Sequence, residues 1–365
     1  MLSSRCSHRA LSISLPPSQD QLKGDSGVFR ESIFGVESEM TYGGALSFLR
    51  RKYSRDLSAP GLDLVVSGVP FDNAVTYRPG ARLGPRGIRA ASVQLAELKP
   101  FPWGVDPFED FGVIDYGDCF LNPHRPESII PDIVAHASRI LSSGAKMLTF
   151  GGDHFVTYPL LRAHAARHGA PLSLIHFDAH CDTWPEELLF DPAAPPPVRV
   201  DHGSMFYRAV KEGLVDPRRS VQIGLRTWND DGLGFNILDA PFVHRHGVDA
   251  VISRIRDIFS SSSSSSSFQY PVYLTFDIDC LDPAFAPGTG TPVPGGLSSA
   301  QALEIIRALA GPQLIDHVRL IGADVVEVSP PFDVSELTSL AAAHIATDLL
   351  NVFRVQKLHH DKKRP

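Results

Sequence analysis

Three short stretches concentrate the side chains that bind divalent cations: Gly-Gly-Asp153-His154, Asp178-Ala-His180-Cys-Asp182 and Asp277-Ile-Asp279. Taken singly, an Asp after a strand is a helix cap or a turn former. Taken together, several ionisable groups that a fold would bury are costly without a cation. The candidate ligands are His154, Asp178, His180, Asp182, Asp277 and Asp279. Carboxylates and imidazoles in that number exceed what one ion needs and suit a pair of ions sharing carboxylates and a water. Hard oxygen ligands mixed with imidazole favour Mn²⁺.

The second and third stretches follow apolar runs, Leu172–Phe177 and Val272–Phe276. Each run predicts a buried parallel strand. Side chains alternate along extended backbone, so Asp178, His180 and Asp182 are expected to point one way, as are Asp277 and Asp279. Both sets fall at the carboxyl ends of strands, where open α/β sheets hold their ligands. Further strands are expected at Leu62–Gly68, Phe111–Asp115, Met147–Phe150, Val221–Leu225 and Leu320–Val328. Helical patterns lie between them at Pro85–Leu98, Pro126–Ser143, Tyr158–His168, Ser204–Glu212, Val248–Phe259, Ser298–Ala310 and Ser335–Phe353. Alternation of this kind implies a parallel sheet covered on both faces.

The chain has 365 residues, and the patterns alternate without a linker, so one domain is expected over 41–355 with a tail at 356–365. Residues 1–40 are Ser- and Pro-rich; the first 19 carry Arg5, His8 and Arg9 but no acid, as a transit peptide or a disordered extension would. That leaves a cytoplasmic or mitochondrial location open, with no secretory signal. The serine run Ser260–Ser267 is expected to be a mobile, dispensable surface loop, and the proline-rich Pro185–Val200 a loop at the rim of the site.

A net charge of −7 gives no basic footprint for nucleic acid and weakly suits a cationic substrate. No run of 18 apolar residues predicts a membrane span. The four cysteines form no CxxC pair. Cys181 and Cys280 adjoin ligands at the opposite strand parity, so both are expected to be packed thiols. Glu327 lies inside an apolar strand, and a buried carboxylate needs a cationic partner, whether substrate or a core Arg. Asp324 has the other parity and is given no catalytic role. The Gly/Pro-rich stretch from Asp282 to Pro292 is expected to wall the site rigidly.

These motifs resemble the ureohydrolase (arginase/agmatinase) family. The matching stretches are GGDHFVTYPLLRAHA, IHFDAHCDT, DHGSMFYRAVKEGL, VQIGLRT, VYLTFDIDCLDPAFAPGTGTPVPGGLS and DVVEVSPPFD, with GVPFDNAVTYRPGARLGPRGIR earlier, so the likeness runs from about Met40 to about Phe353. The resemblance implies an arginase-like fold: α/β, three-layer α/β/α, with a mostly parallel sheet of about eight strands. It also implies a two-manganese centre. His154 and Asp182 would bind one ion, His180 and Asp279 the other, and Asp178 and Asp277 both. Asp182 would orient the bridging hydroxide, His202 would shuttle protons, and Glu327 would hold the substrate guanidinium. The homo-oligomer implied is a trimer or hexamer.

The expected activity is hydrolysis of agmatine to putrescine and urea. Alternatives are another guanidino-compound hydrolase such as guanidinobutyrase or arginase, an inactive relative acting as an interaction protein, and a metal-dependent deacetylase. Members that accept arginine supply polar donors for its α-carboxylate ahead of the His-Gly pair. This chain has Val198, Arg199, Val200 and Asp201 there, and Trp184 after Asp182-Thr183, which favours agmatine unless Arg199 points inward.

Overall fold

In a computed structural model the structure describes residues 29–32, 35–38, 40–96, 99–169, 171–185, 200–260 and 271–363. The expectations for residues 1–28, for Arg199 and the rest of the rim loop over 186–199, and for the serine run beyond Ser260 lie outside the described residues.

Eight strands form one sheet: β1 (Leu62–Val69), β2 (Gly112–Asp118), β3 (Lys146–Gly151), β4 (Ser173–Phe177), β5 (Val221–Ile223), β6 (Asn236–Leu238), β7 (Pro271–Asp277) and β8 (Arg319–Val326). Their order is β2-β1-β3-β8-β7-β4-β5-β6. Every pairing is parallel, with β8 between β3 and β7 and β4 on the far side of β7. A separate antiparallel ribbon pairs Phe29–Ser32 with Gly35–Ser38.

Seven α-helices occur among the described residues: α1 (Gly84–Ser92), α2 (Ile129–Ser142), α3 (Thr157–His168), α4 (Met205–Lys211), α5 (Ala240–Ser260), α6 (Ser299–Ala308) and α7 (Leu337–Lys363). Alternation along the strands divides the core in two. Val272, Leu274 and Phe276 of β7 pack with α1, α5, α6 and α7, whereas Tyr273 turns to the side of α2, α3 and α4. The three-layer α/β/α reading from the sequence holds, and the sheet is wholly parallel. No described helix is long and apolar enough to cross a membrane.

Some boundaries differ from the sequence reading. Strand β6 was not expected; it has three residues, and its Ile237 is exposed, so it shows no apolar run. Helix α5 begins before the expected Val248 because Asp239 accepts from Phe242 N at 2.6 Å, and Gly247, at φ +78°, breaks the helix just where the expected segment starts. Residues 356–363, expected as a tail, continue α7. Gln356 fastens that turn by accepting from Leu320 N and donating to Val318 O, at the start of β8, and to Leu309 O, at the end of α6.

Candidate metal centre and active site

All the candidate ligands stand at the carboxyl ends of β3, β7 and β4, strands grouped in the middle of the sheet with β8 between β3 and β7. The local backbone is not the extended strand that sequence periodicity suggested. His154 opens a 3₁₀ turn after β3, and Asp279 sits in the 3₁₀ turn Ile278–Cys280 after β7. Asp277 caps that turn by accepting from Asp279 N at 2.8 Å. After β4, Asp178 accepts from His180 N at 2.6 Å, and Asp182 takes a left-handed φ of +55°. Asp tolerates that conformation better than most residues. The side chains converge because turns aim them.

Gly152 permits the first turn. The loop after β1 crosses directly over it: Gly152 N donates to Val69 O and Asp153 N to Phe71 O. A Cβ at Gly152 would lie 1.6 Å from Phe71 O, so no other residue fits. Asp153 is buried and accepts from Ala74 N at 2.9 Å, tying the same loop down rather than joining the ligands.

The convergence has two centres. His154 Nδ1 lies 3.0 Å from Asp178 Oδ2, 2.9 Å from Asp182 Oδ2 and 3.2 Å from Asp277 Oδ2. His180 Nδ1 lies 3.2 Å from Asp178 Oδ1 and 3.2 Å from Asp279 Oδ2. Asp178 therefore presents one oxygen to each group. Asp277 turns Oδ2 to the first group and spends Oδ1 on Asp279 N.

Whether a cation fits can be judged from the donor atoms. His154 Nδ1 and Asp182 Oδ2 are buried and make no hydrogen bond among the described residues, although they are 2.9 Å apart. Ligands of an octahedral ion at about 2.1 Å stand about 3.0 Å from one another. The observed separations match that edge length, and the set of carboxylates with imidazole is one that hard divalent ions accept. Without a cation the site would take up protons instead. Burial, and then repulsion from Asp279 and Asp178, pushes Asp277 well above the usual carboxylate range. Burial and Asp178 raise Asp182 as well. Burial disfavours a charged His154, but Asp178, Asp182 and Asp277 outweigh it and raise the ring. Divalent ions held by these residues would displace those protons by supplying the missing positive charge.

Behind the ligands lies a layer that sequence reading missed. His176 of β4 has Nε2 at 2.8 Å from Asp178 Oδ2. Gln222 of β5 directs its amide nitrogen at Cys181 O (2.7 Å) and at His176 Nδ1 (3.0 Å). The amide is the donor there, so Nδ1 accepts and the His176 proton sits on Nε2, donated to Asp178. Thr275 of β7 is 2.8 Å from His154 Nε2. A polar residue inside an apolar strand is the available signal, and all three of these carry it.

His202 and Glu327 meet beside this cluster. His202 Nδ1 is 2.9 Å from Glu327 Oε1, which also accepts from His154 N at 2.9 Å. In the neutral ring Thr76 N donates to His202 Nε2 at 2.9 Å, and the ring's one proton is then on Nδ1. Burial disfavours a charged His202, yet the bond to Glu327 and the nearby acids push it up to about 9. Glu327 follows β8 with φ +63°, a conformation costing roughly 1–3 kcal/mol. Its Oε2 is buried and unpartnered among the described residues. A side chain at Gly290 would stand 3.3 Å from that oxygen, so the Gly/Pro-rich stretch does form a wall here. Asp324 lies apart, accepting from Thr157 Oγ1 and Tyr273 OH. Both thiols are packed against other groups: Cys181 Sγ contacts Asn229, and Cys280 Sγ contacts Ile223 O. Burial raises both of them.

A cavity of about 350 Å³ opens onto the cluster, lined in part by His180, Asp182, Trp184, Asp201, His202 and Asp277.

The model of the arginase family matches residues 62–351, and the chain belongs to that family. The agmatinase of Chromobacterium violaceum is 57% identical over 341 residues, covering 93% of this chain and 98% of its own. That of Citrobacter koseri is 46% identical, covering 86% and 94%. A crystal structure of a hypothetical agmatinase from Burkholderia thailandensis matches with a TM-score of 0.80 at 60% identity, over 92% of this chain and 99% of that one. Proclavaminate amidino hydrolase from Streptomyces clavuligerus matches with a TM-score of 0.76 at 36% identity, over 87% and 100%. The likeness to agmatinases read from the motifs agrees with these relatives.

Proposed function

We propose that the chain hydrolyses agmatine to putrescine and urea at a two-manganese centre held by His154, Asp178, His180, Asp182, Asp277 and Asp279. The observation that carries the substrate reading is the buried Oε2 of Glu327, a carboxylate oxygen without a partner among the described residues. A guanidinium supplies the missing charge and donors, in the planar fork that suits a carboxylate. The agmatinase relatives support the same substrate.

Guanidinium is resonance-stabilised and resists attack by neutral water. Divalent ions, when bound, make a water acidic enough to attack at neutral pH. Asp182 offers an oxygen free of other hydrogen bonds to orient that water. Glu327 holds the guanidinium with its central carbon facing the cluster. His202 carries a proton to the nitrogen that leaves as putrescine, and its link to Glu327 Oε1 couples that proton to substrate position. Water's oxygen ends on urea, and the C–N bond to the alkyl chain breaks.

Urea release from agmatine, arginine and guanidinobutyrate in the presence of Mn²⁺ tests the reading. Agmatine should exceed both acids by at least about 10²-fold in kcat/KM. Comparable rates with either acid would refute it.

A further inference from the structure

The acids lining the 350 Å³ cavity are Asp182, Asp277 and Asp201. Asp182 and Asp277 both turn an oxygen to His154 in the ligand cluster. Asp201 does not. It is nine-tenths buried, and only one of its oxygens is used: Oδ1 accepts from Gly203 N at 3.0 Å and from Ser204 Oγ at 2.9 Å. Oδ2 has no hydrogen bond and no cationic partner among the described residues. A carboxylate so enclosed is stabilised by a cation brought to it.

Asp201 lines the same cavity as the ligand cluster without joining it. It precedes His202, whose ring reaches Glu327. Trp184 packs alongside, with its backbone N donating to Gly203 O and its indole over Gly203, where a methyl would touch the ring at 3.4 Å. The same indole faces His180 at a ring separation of 6.3 Å. Cluster, apolar indole and carboxylate thus line one cavity and offer the chemistry that guanidine, methylene chain and ammonium would require.

We propose that Asp201 is the residue that selects the substrate's tail: its Oδ2 receives the terminal ammonium of an aminoalkylguanidine. This rests on the reading of the site as a guanidine hydrolase and goes beyond it by assigning the group that recognises the other end. Its bond to the ammonium is charge-assisted, and a guanidine ending in a methyl group leaves the oxygen unpaired.

The test compares agmatine with butylguanidine, which keeps the guanidine and the four-carbon chain but lacks the ammonium. Asp201→Asn is the informative variant, because the amide oxygen still accepts from Gly203 N and Ser204 Oγ and only the charge at the other atom is removed. Wild type should prefer agmatine by about 10²-fold in kcat/KM, and Asp201→Asn should erase most of that preference through KM for agmatine. Activity on butylguanidine serves as the check on folding. A parallel loss on both substrates would show a merely structural Asp201 and overturn the proposal. So would a wild type that does not distinguish the two, and in that case the hydrolase reading stands. No urea from either substrate overturns both.

Discussion

His176 provides the sharpest test of how the centre is held. It touches no proposed substrate atom, and its Nε2 donates to Asp178 Oδ2 at 2.8 Å. Asp178 is the residue with an oxygen in each group of ligands. Burial disfavours its charge, but His176 and the contacts from His154 and His180 more than offset this and hold it well below the usual carboxylate range. In His176→Phe the ring packing against Phe206 and His154, at centroid distances of 4.7 and 5.1 Å, is kept in kind. Gln222 retains Cys181 O as an acceptor. What disappears is one hydrogen bond to a charged group, about 1.5–3 kcal/mol. At about 1.4 kcal/mol per decade, this weakens metal binding by about 10–100-fold, the usual effect of losing a group that orients a ligand. The assay is bound manganese after equilibration at graded free Mn²⁺, with urea release measured on the same samples. The variant should need about 10–100-fold more Mn²⁺ for half-occupancy and recover most of its turnover at saturation. Unchanged metal affinity, or a loss that excess Mn²⁺ does not restore, would refute the argument.

Two further outcomes follow from the same geometry. His202→Asn should lower kcat by about 10²–10⁴-fold with bound metal unchanged, whereas Glu327→Gln should raise KM and lower kcat together; loss of metal from His202→Asn would overturn the ligand assignment. Away from the site, Arg89 donates to both oxygens of fully buried Asp115, at 2.8 and 3.0 Å, and to Asp118 at 2.6 Å. Arg89→Ala should cost about 3–5 kcal/mol in denaturant unfolding because Asp115 is left charged and unpaired, and a cost below about 1 kcal/mol would contradict that account.

The apolar runs at Leu172–Phe177 and Val272–Phe276 determined two central strands, because a strand buried on both faces has to be apolar throughout. The other expected strands were legible for the same reason, and β6 was not, since three residues on an edge bury too little to leave a pattern. Which ionisable side chains would gather was likewise legible, because several such groups beside buried strands are too costly to keep there without a cation. Their aim was not legible. Alternation gave the right neighbours for the wrong reason, since Asp182 is turned by a left-handed φ and Asp279 by a 3₁₀ turn. The strain at Glu327, the Thr76 contact that fixes the His202 proton, and the Gln222–His176–Asp178 chain join segments far apart in sequence. Composition and periodicity report which face of an element is apolar. Which lone pair faces which proton depends on turns and on packing between strands, and only the folded chain sets those.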